Sequence, residues 1–337
     1  MNRYIGHPSQ LYGIEEHKLC GGKAEGMRLL QVNNGKGLML TVSADRCGDI
    51  PRLSYKGINL GFFSPCGYVA PQFYDNKGAG FLGSFTAGFL TTCGLCAVGS
   101  PCVENGEALP LHGTIGNTPA ENVQYFEEDG VLKIKLTIRD ATLFSHKLVL
   151  TREYSIPTDK NEFTIKDTVK NIGFEESPYM ILYHFNMGYP LLSENAVVDV
   201  PNSGITPRND RAAEGIDNAL KMEKPQDGFE EQCYYFDVTQ GKASIYNPDI
   251  KLGLSINYNK EELPFFTEWK MMGAGDYVLG LEPGNCTPDG RDVLREKKLL
   301  KLLAPGAEAS QTITVKIEEL VKNLILNITE AKNVSIT

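Results

Sequence analysis

Strict alternation of apolar and polar residues recurs along this chain. Leu132-Lys133-Ile134-Lys135-Leu136-Thr137-Ile138-Arg139 alternates without a break, and Leu252-Gly253-Leu254-Ser255-Ile256-Asn257-Tyr258 and Thr312-Ile313-Thr314-Val315-Lys316-Ile317-Glu318 repeat the pattern. Successive side chains of a strand point to opposite faces, so each segment lays one face on a core and the other on solvent or a second layer. Residues 147–156 and 162–170 predict two more strands, joined by a turn at Pro157-Thr158-Asp159-Lys160. Helical periodicity is scarce, and its best stretch, 318–326, is short. Glycine and proline are spread between the apolar runs, where turns require them. The pattern predicts an all-β protein built as a large antiparallel β-sandwich.

Residues 61–110 break the pattern. They are rich in Gly, Pro, Cys and aromatics, poor in charge, and resist assignment to strands. A long irregular segment of this kind predicts a functional loop region or a cover. No linker and no internal repeat interrupts the chain, so residues 1–337 are expected to form a single domain. Its first segment, up to about residue 35, is expected to pack on it as an N-terminal extension.

Composition narrows the function classes. The chain is 42% hydrophobic and 22% charged, as a soluble protein with a large core would be. Its net charge is -9 and no stripe of Lys and Arg is present, which excludes nucleic acid as an expected partner. No apolar run approaches the length of a membrane span, and Met1-Asn2-Arg3-Tyr4-Ile5-Gly6-His7 lacks the charged-then-apolar opening of a signal peptide. A cytoplasmic protein is expected. An acidic balance favours solubility and suits a neutral ligand better than a polyanion.

Eight cysteines are present, and Cys93-Gly94-Leu95-Cys96 has the spacing of a redox or zinc pair. A zinc site wants a second ligand pair, and Cys102 with His112 lacks the usual spacing. Two reduced cysteines packed as small apolar groups account better for the motif. No metal and no cofactor are expected.

The candidate chemistry lies in two distant stretches, Tyr183-His184-Phe185-Asn186 and Leu281-Glu282-Pro283-Gly284. Each puts one proton-transfer side chain at the end of an apolar, β-like run. A histidine and a carboxylate are the acid and base needed to open and close a sugar ring. The bland readings are a hydrogen-bonded core histidine and a structural salt bridge. Burial of Glu282 would raise its pKa toward the range useful to a base. Asn186 shares the face of His184, and His112 in Leu111-His112-Gly113 adds a third group. Arg46, in Asp45-Arg46-Cys47-Gly48-Asp49, reads either as half of a local ion pair in a turn or as a ligand of sugar hydroxyls. Glu268-Trp269-Lys270 reads equally as a substrate rim or as a packed hairpin edge. No Gly-rich phosphate loop, Gly-x-Ser-x-Gly elbow, His-Glu-x-x-His helix or dinucleotide fingerprint occurs.

At these residues the chain resembles the galactose mutarotase-like superfamily, and within it an aldose 1-epimerase-like branch. Asp45-Arg46-Cys47-Gly48-Asp49-Ile50, Leu90-Thr91-Thr92-Cys93-Gly94-Leu95, Leu111-His112-Gly113, His184-Phe185-Asn186 and Leu281-Glu282-Pro283-Gly284-Asn285-Cys286 carry the likeness, in that order. The resemblance implies a β-supersandwich that interconverts the anomers of an aldose without a cofactor. It implies Glu282 as general base on the C1 hydroxyl, His184 as general acid on the ring oxygen, and His112 as a sugar ligand near that oxygen. Arg46 and Glu231 are weaker placements as hydroxyl ligands, and Asn186 and Glu268 complete the expected substrate-binding set. The chain departs from better-known members around His112, and residues 61–110 do not align with the galactose enzymes.

The expected partner is therefore a small-molecule sugar, with a homodimer as the assembly to look for. Other readings stay open: a carbohydrate-binding or sensing protein on the same scaffold, or another sugar-active isomerase, lyase or hydrolase. Hydrolysis would need a second carboxylate near Glu282, with Glu268 and Glu231 as candidates. A metal hydrolase on His112, His184 and Glu282 is the most distant reading.

Overall fold

In the computed structural model, which describes residues 3–319, the alternating segments become one sheet and the irregular, doubly buried segments build the centre of another. The eight-stranded sheet runs in the spatial order Asn122–Glu128, Val131–Ala141, Lys147–Pro157, Glu162–Asn171, Glu308–Glu319, Leu252–Tyr258, Lys242–Asn247 and Val197–Asp199. Every neighbouring pair is antiparallel. Leu132, Ile134, Leu136 and Ile138 are buried on one face while Lys135 and Arg139 face solvent, as alternation requires.

The eleven-stranded sheet passes from Gly13–Lys18 at one edge through Arg28–Asn33, Leu38–Ser43 and Asp49–Tyr55 to Leu90–Leu95. It continues through Met180–Met187, Tyr277–Gly284, Phe265–Met272 and Gln232–Val238 to Asn202–Pro207. The short Ile58–Asn59 strand pairs off this path. Gly13–Lys18 and Arg28–Asn33 pair with each other at the sheet's edge. Tyr183, Phe185, Leu281, Phe266 and Tyr234 point inward and share one apolar core with the smaller sheet. The α-helices among the described residues are short, Asp210–Glu214 and Arg291–Glu296. The helix expected over 318–326 is not formed at its start, where Glu318 and Glu319 extend the last strand, and its remainder lies outside the described residues.

The two sheets are tied by a buried polar cluster. Arg152 donates to both carboxylate oxygens of Asp167 (2.9 and 2.7 Å), to Asp49 Oδ1 (3.0 Å) and to Thr92 Oγ1 (2.8 Å). Tyr183 adds a 2.7 Å hydrogen bond to Asp167. Arg152 and Asp167 come from the small sheet, and Asp49, Thr92 and Tyr183 from the large one. Each charge finds an opposite charge and further donors, the condition under which an ion pair survives without water.

Residues 61–117 lie over the outer face of the large sheet. Most of the segment is turns, 3-10 pieces and strands of two or three residues, but Leu90–Leu95 is a central strand of the sheet. It is buried on both faces, so Leu-Thr-Thr-Cys-Gly-Leu shows no alternation to betray it. Arg46 secures this cover. Its guanidinium donates to the backbone carbonyls of Gly116 (2.5 Å), Val69 (2.9 Å) and Ser84 (3.0 Å). The local ion pair expected in the Asp45–Asp49 turn is absent in that form, because Asp45 pairs with Arg28 at 2.7 Å instead.

Candidate active site

His184 and Glu282 sit on adjacent central strands, Met180–Met187 and Tyr277–Gly284. The register fixed by Leu182↔Gly284 and Phe185↔Leu281 sets them across from one another. Thr267 is the cross-strand partner of Glu282 on the next strand, so His184, Glu282 and Thr267 form one row across the sheet. A second row, two residues along, holds Asn186, Gly280, Trp269 and Cys233. Both rows face away from the inter-sheet core and toward the cover, a consequence of the two-residue period of a strand.

The cover closes these rows into a cleft of about 380 Å³ lined by His184, Glu282, Thr267, Trp269, Cys233 and Glu231 from the sheet side and by Phe81, Phe85, Ser100 and His112 from the cover. Arg208 reaches it from the end of the Asn202–Pro207 strand. His184 Nε2 lies 3.1 Å from Glu282 Oε1. The two atoms are within reach of each other but out of hydrogen-bond alignment, since Glu282 Oε1 has no hydrogen-bond partner. Nδ1 of His184, Nδ1 of His112 and Oγ1 of Thr267 are likewise buried without partners. Four unmet polar atoms around one cleft mark a place where a polar ligand would supply the missing bonds.

Aromatic contacts hold the imidazoles in place. The His184 ring packs edge-on against Trp269 (5.2 Å between centroids), Phe85 (5.5 Å) and His112 (5.7 Å). His112 lies 5.1 Å from Phe81 and sits in a left-handed backbone conformation, φ 60°. A histidine held there costs conformational energy that the surrounding bonds must offset. His112 N donates to Gly99 O (2.9 Å) and its carbonyl accepts from Gly94 N (3.0 Å).

Burial sets the electrostatics. It lowers the pKa of His184 to about 3, with His112 adding to the effect and Asn186 opposing it. It lowers His112 to about 4, helped by Arg208. It raises Glu282 well above the ordinary carboxylate range, reinforced by Glu231 and Glu268 and opposed by Arg208. Burial thus favours a protonated Glu282 beside a neutral His184, with His184 Nε2 3.1 Å from Glu282 Oε1. A neutral imidazole beside a carboxylic acid is a pairing that general acid–base chemistry can use.

Of the residues singled out in the sequence, His112, His184, Glu282 and Glu231 converge on the cleft. Glu231 stands at its exposed mouth and accepts from Trp269 Nε1 at 2.6 Å. Asn186 lies on the same face but is fully buried, its side chain donating to His184 O at 2.9 Å. Arg46 does not line the cleft; backbone carbonyls of the cover hold its Nε and Nη1 instead. Glu268 is also off the cleft. It alternates with Thr267 and Trp269, so it points to the opposite face, opposite Tyr234, with neither carboxylate oxygen hydrogen-bonded. Arg208, Thr267, Cys233, Phe81 and Phe85 carried no sequence signal of their own; only the register and the fold of the cover bring them in.

Gly280 shows how tightly the Glu282 carboxyl is seated. A Cβ at this position would lie 2.4 Å from Glu282 Oε1 and 3.0 Å from Trp269 Cβ. Gly280→Ala is therefore expected to displace the Glu282 carboxyl. A shift of about 1 Å in a reacting group costs about 10²-fold in rate, against a stability loss of about 1–3 kcal/mol from overpacking. Turnover and urea unfolding measured on the same preparation separate the two effects.

Glu268 allows a test of burial alone. Its pKa is raised from 4.5 to about 8 by burial, with Lys270 opposing. A carboxyl whose folded pKa lies above its unfolded value makes the native state bind more protons, so stability falls as pH rises from about 4.5 to 8. The buried histidines act oppositely, costing stability only as pH falls below 6.5. Glu268→Gln should thus be near neutral at pH 5 and gain on the parent chain between pH 6.5 and 8, by on the order of a few kcal/mol. Urea midpoints at the two ends of that interval check it; a constant difference would contradict the burial argument.

A protein-family profile described as "Domain of unknown function (DUF4432)" matches residues 24–317. Among solved structures, a provisionally named aldose 1-epimerase from Klebsiella pneumoniae subsp. pneumoniae superimposes with a TM-score of 0.84 at 29% identity, covering 91% of this chain and 83% of that one. A galactose mutarotase-like protein from Clostridium acetobutylicum gives 0.67 at 15% identity, covering 92% and 100%. Galactose 1-epimerase from Lactobacillus acidophilus gives 0.62 at 15% identity, covering 91% and 99%. No curated protein matches the sequence. The fold is thus the mutarotase-like β-sandwich that the sequence predicted. No helix among the described residues is long and apolar enough to cross a membrane.

Proposed function

We propose that this chain, which belongs to the DUF4432 family and carries a mutarotase-like scaffold, is an aldose 1-epimerase that interconverts the anomers of a sugar in the cytoplasm. The observation that carries the proposal is the His184–Glu282 pair, 3.1 Å apart and buried, at the floor of a sugar-sized cleft. As the sugar enters, hydroxyls bonding to Glu282 favour its ionised form and move its proton to His184. Glu282 then takes the proton from the C1 hydroxyl while His184 protonates the ring oxygen, and the C1–O5 bond breaks. Rotation about C1–C2 presents the other face of the aldehyde. The reverse transfers close the ring and restore both groups, so no cofactor is consumed.

His112 faces His184 and offers its free Nδ1 to the sugar near the ring oxygen. Trp269 supplies an apolar ring edge against which a pyranose C–H face can pack. A two-carboxylate hydrolysis is less well supported: Glu268 points away, which leaves Glu231, tied to Trp269, as the second carboxylate. Saturation-transfer NMR on a panel of aldoses tests the proposal. Exchange between anomers above the uncatalysed rate for at least one sugar is expected; binding without accelerated exchange for every sugar would overturn it in favour of a sugar-sensing protein.

A further inference from the structure

A second cluster of reactive side chains lies outside the cleft, behind the loop that carries His112. Cys96 Sγ, a carboxylate oxygen of Asp140 and a ring nitrogen of His146 all lie within 4.8 Å of one another. We propose that these three residues form a binding site for a zinc-class divalent cation.

The donor set is one thiol, one imidazole and one carboxylate, each a recognised zinc ligand, and three protein ligands with one open position is a common zinc arrangement. His146 Nε2 and Asp140 Oδ1 are 3.3 Å apart. That is long for a charge-assisted hydrogen bond, but it matches the roughly 3.3 Å edge between N and O ligands held about 2.0–2.1 Å from a tetrahedral ion. Cys96 Sγ, the third donor, otherwise makes only the weak contacts of a thiol, to Ser177 Oγ (3.8 Å) and Pro178 O (3.7 Å).

The supporting shell is built as well. Asp140 accepts from Leu95 N (3.2 Å) and Thr114 Oγ1 (3.0 Å), which fixes its carboxylate plane. The other ring nitrogen of His146, Nδ1, lies 3.4 Å from Ser145 Oγ. Metal-bound imidazoles are oriented through their second nitrogen in this way. His146 borders a groove of about 820 Å³ whose walls also include Ser177, Pro178 and Glu107, so the cluster meets solvent through its histidine.

Cys96 takes this role without Cys93. Cys93 packs in a separate apolar cluster with Met180 and Leu182, which removes the Cys-x-x-Cys pair as a chelate. Binding releases the Cys96 thiol proton to solvent, one proton per ion. The ion would also brace the cover, since Thr114 and Leu95 flank the backbone that holds His112 in its left-handed conformation.

Cobalt(II) titration of the chelator-treated full chain tests the site. One ion per chain is expected, with thiolate-to-cobalt charge-transfer absorption in the near ultraviolet. Cys96→Ser should abolish that absorption, and His146→Gln, which removes a direct ligand, should weaken uptake by more than the roughly 10- to 100-fold typical of losing an outer-shell partner. The double variant His184→Asn, Glu282→Gln should bind cobalt as the parent chain does. No uptake, charge transfer that persists in Cys96→Ser, or loss of uptake in the cleft variant overturns the proposal. If Cys96→Ser does not fold, His146→Gln decides, because unchanged affinity there also overturns it.

Discussion

Glu282→Gln is expected to lower catalysed anomer exchange by about 10²–10⁴-fold, the contribution of a positioned general base, while sugar still binds. The amide keeps the size of the side chain and its place above Gly280 but cannot accept the C1 proton. Burial already holds the free carboxyl largely protonated, so a neutral amide adds no desolvation cost and the fold should be undamaged. Loss of rate without loss of stability therefore isolates the chemistry. The measurement is the exchange rate between anomers by saturation transfer, alongside line broadening on the same sugar to report binding. An unchanged rate would sink the assignment of Glu282 as base. A lost rate accompanied by lost binding would instead make Glu282 a sugar ligand.

Arg152→Ala should destabilise the chain by about 3–5 kcal/mol, the cost of leaving buried charges without their partner. The loss strikes twice, because Asp49 and Asp167 both face the same guanidinium. No compensating cation is among the hydrogen-bond or ion-pair partners of the two carboxylates. Asp167 also accepts from Tyr183, the residue preceding His184, so the damage should reach the floor of the cleft. Urea unfolding at neutral pH reads the effect. A change under about 1 kcal/mol would place the pair with weakly contributing surface bridges and refute its role as the tie between the sheets. Replacing both carboxylates as well (Asp49→Asn, Asp167→Asn) in the Arg152→Ala background should recover part of the loss, because fewer charges are then stranded.

The sequence by itself determined the solvated half of the architecture. The strands at Val131–Ala141, Lys147–Pro157, Glu162–Asn171 and Leu252–Tyr258 were legible because one face meets water and the other the core. Such strands must alternate. His184 and Glu282 were legible for a related reason: a titratable group inside an apolar run is costly enough to need a purpose. Leu90–Leu95, buried on both faces, had no such signature. The tertiary structure alone decided what surrounds His184 and Glu282. Strand register places Thr267 and Trp269 on the cleft face and turns Glu268, the residue between them, to the other side. The folding of the cover brings Phe85 and His112 over His184, and it occupies Arg46 with backbone carbonyls instead of substrate. Alternation and burial cost are local quantities, readable from a few neighbouring residues. Register and loop packing are set by contacts between residues tens to hundreds of positions apart, so the chain discloses them only when folded.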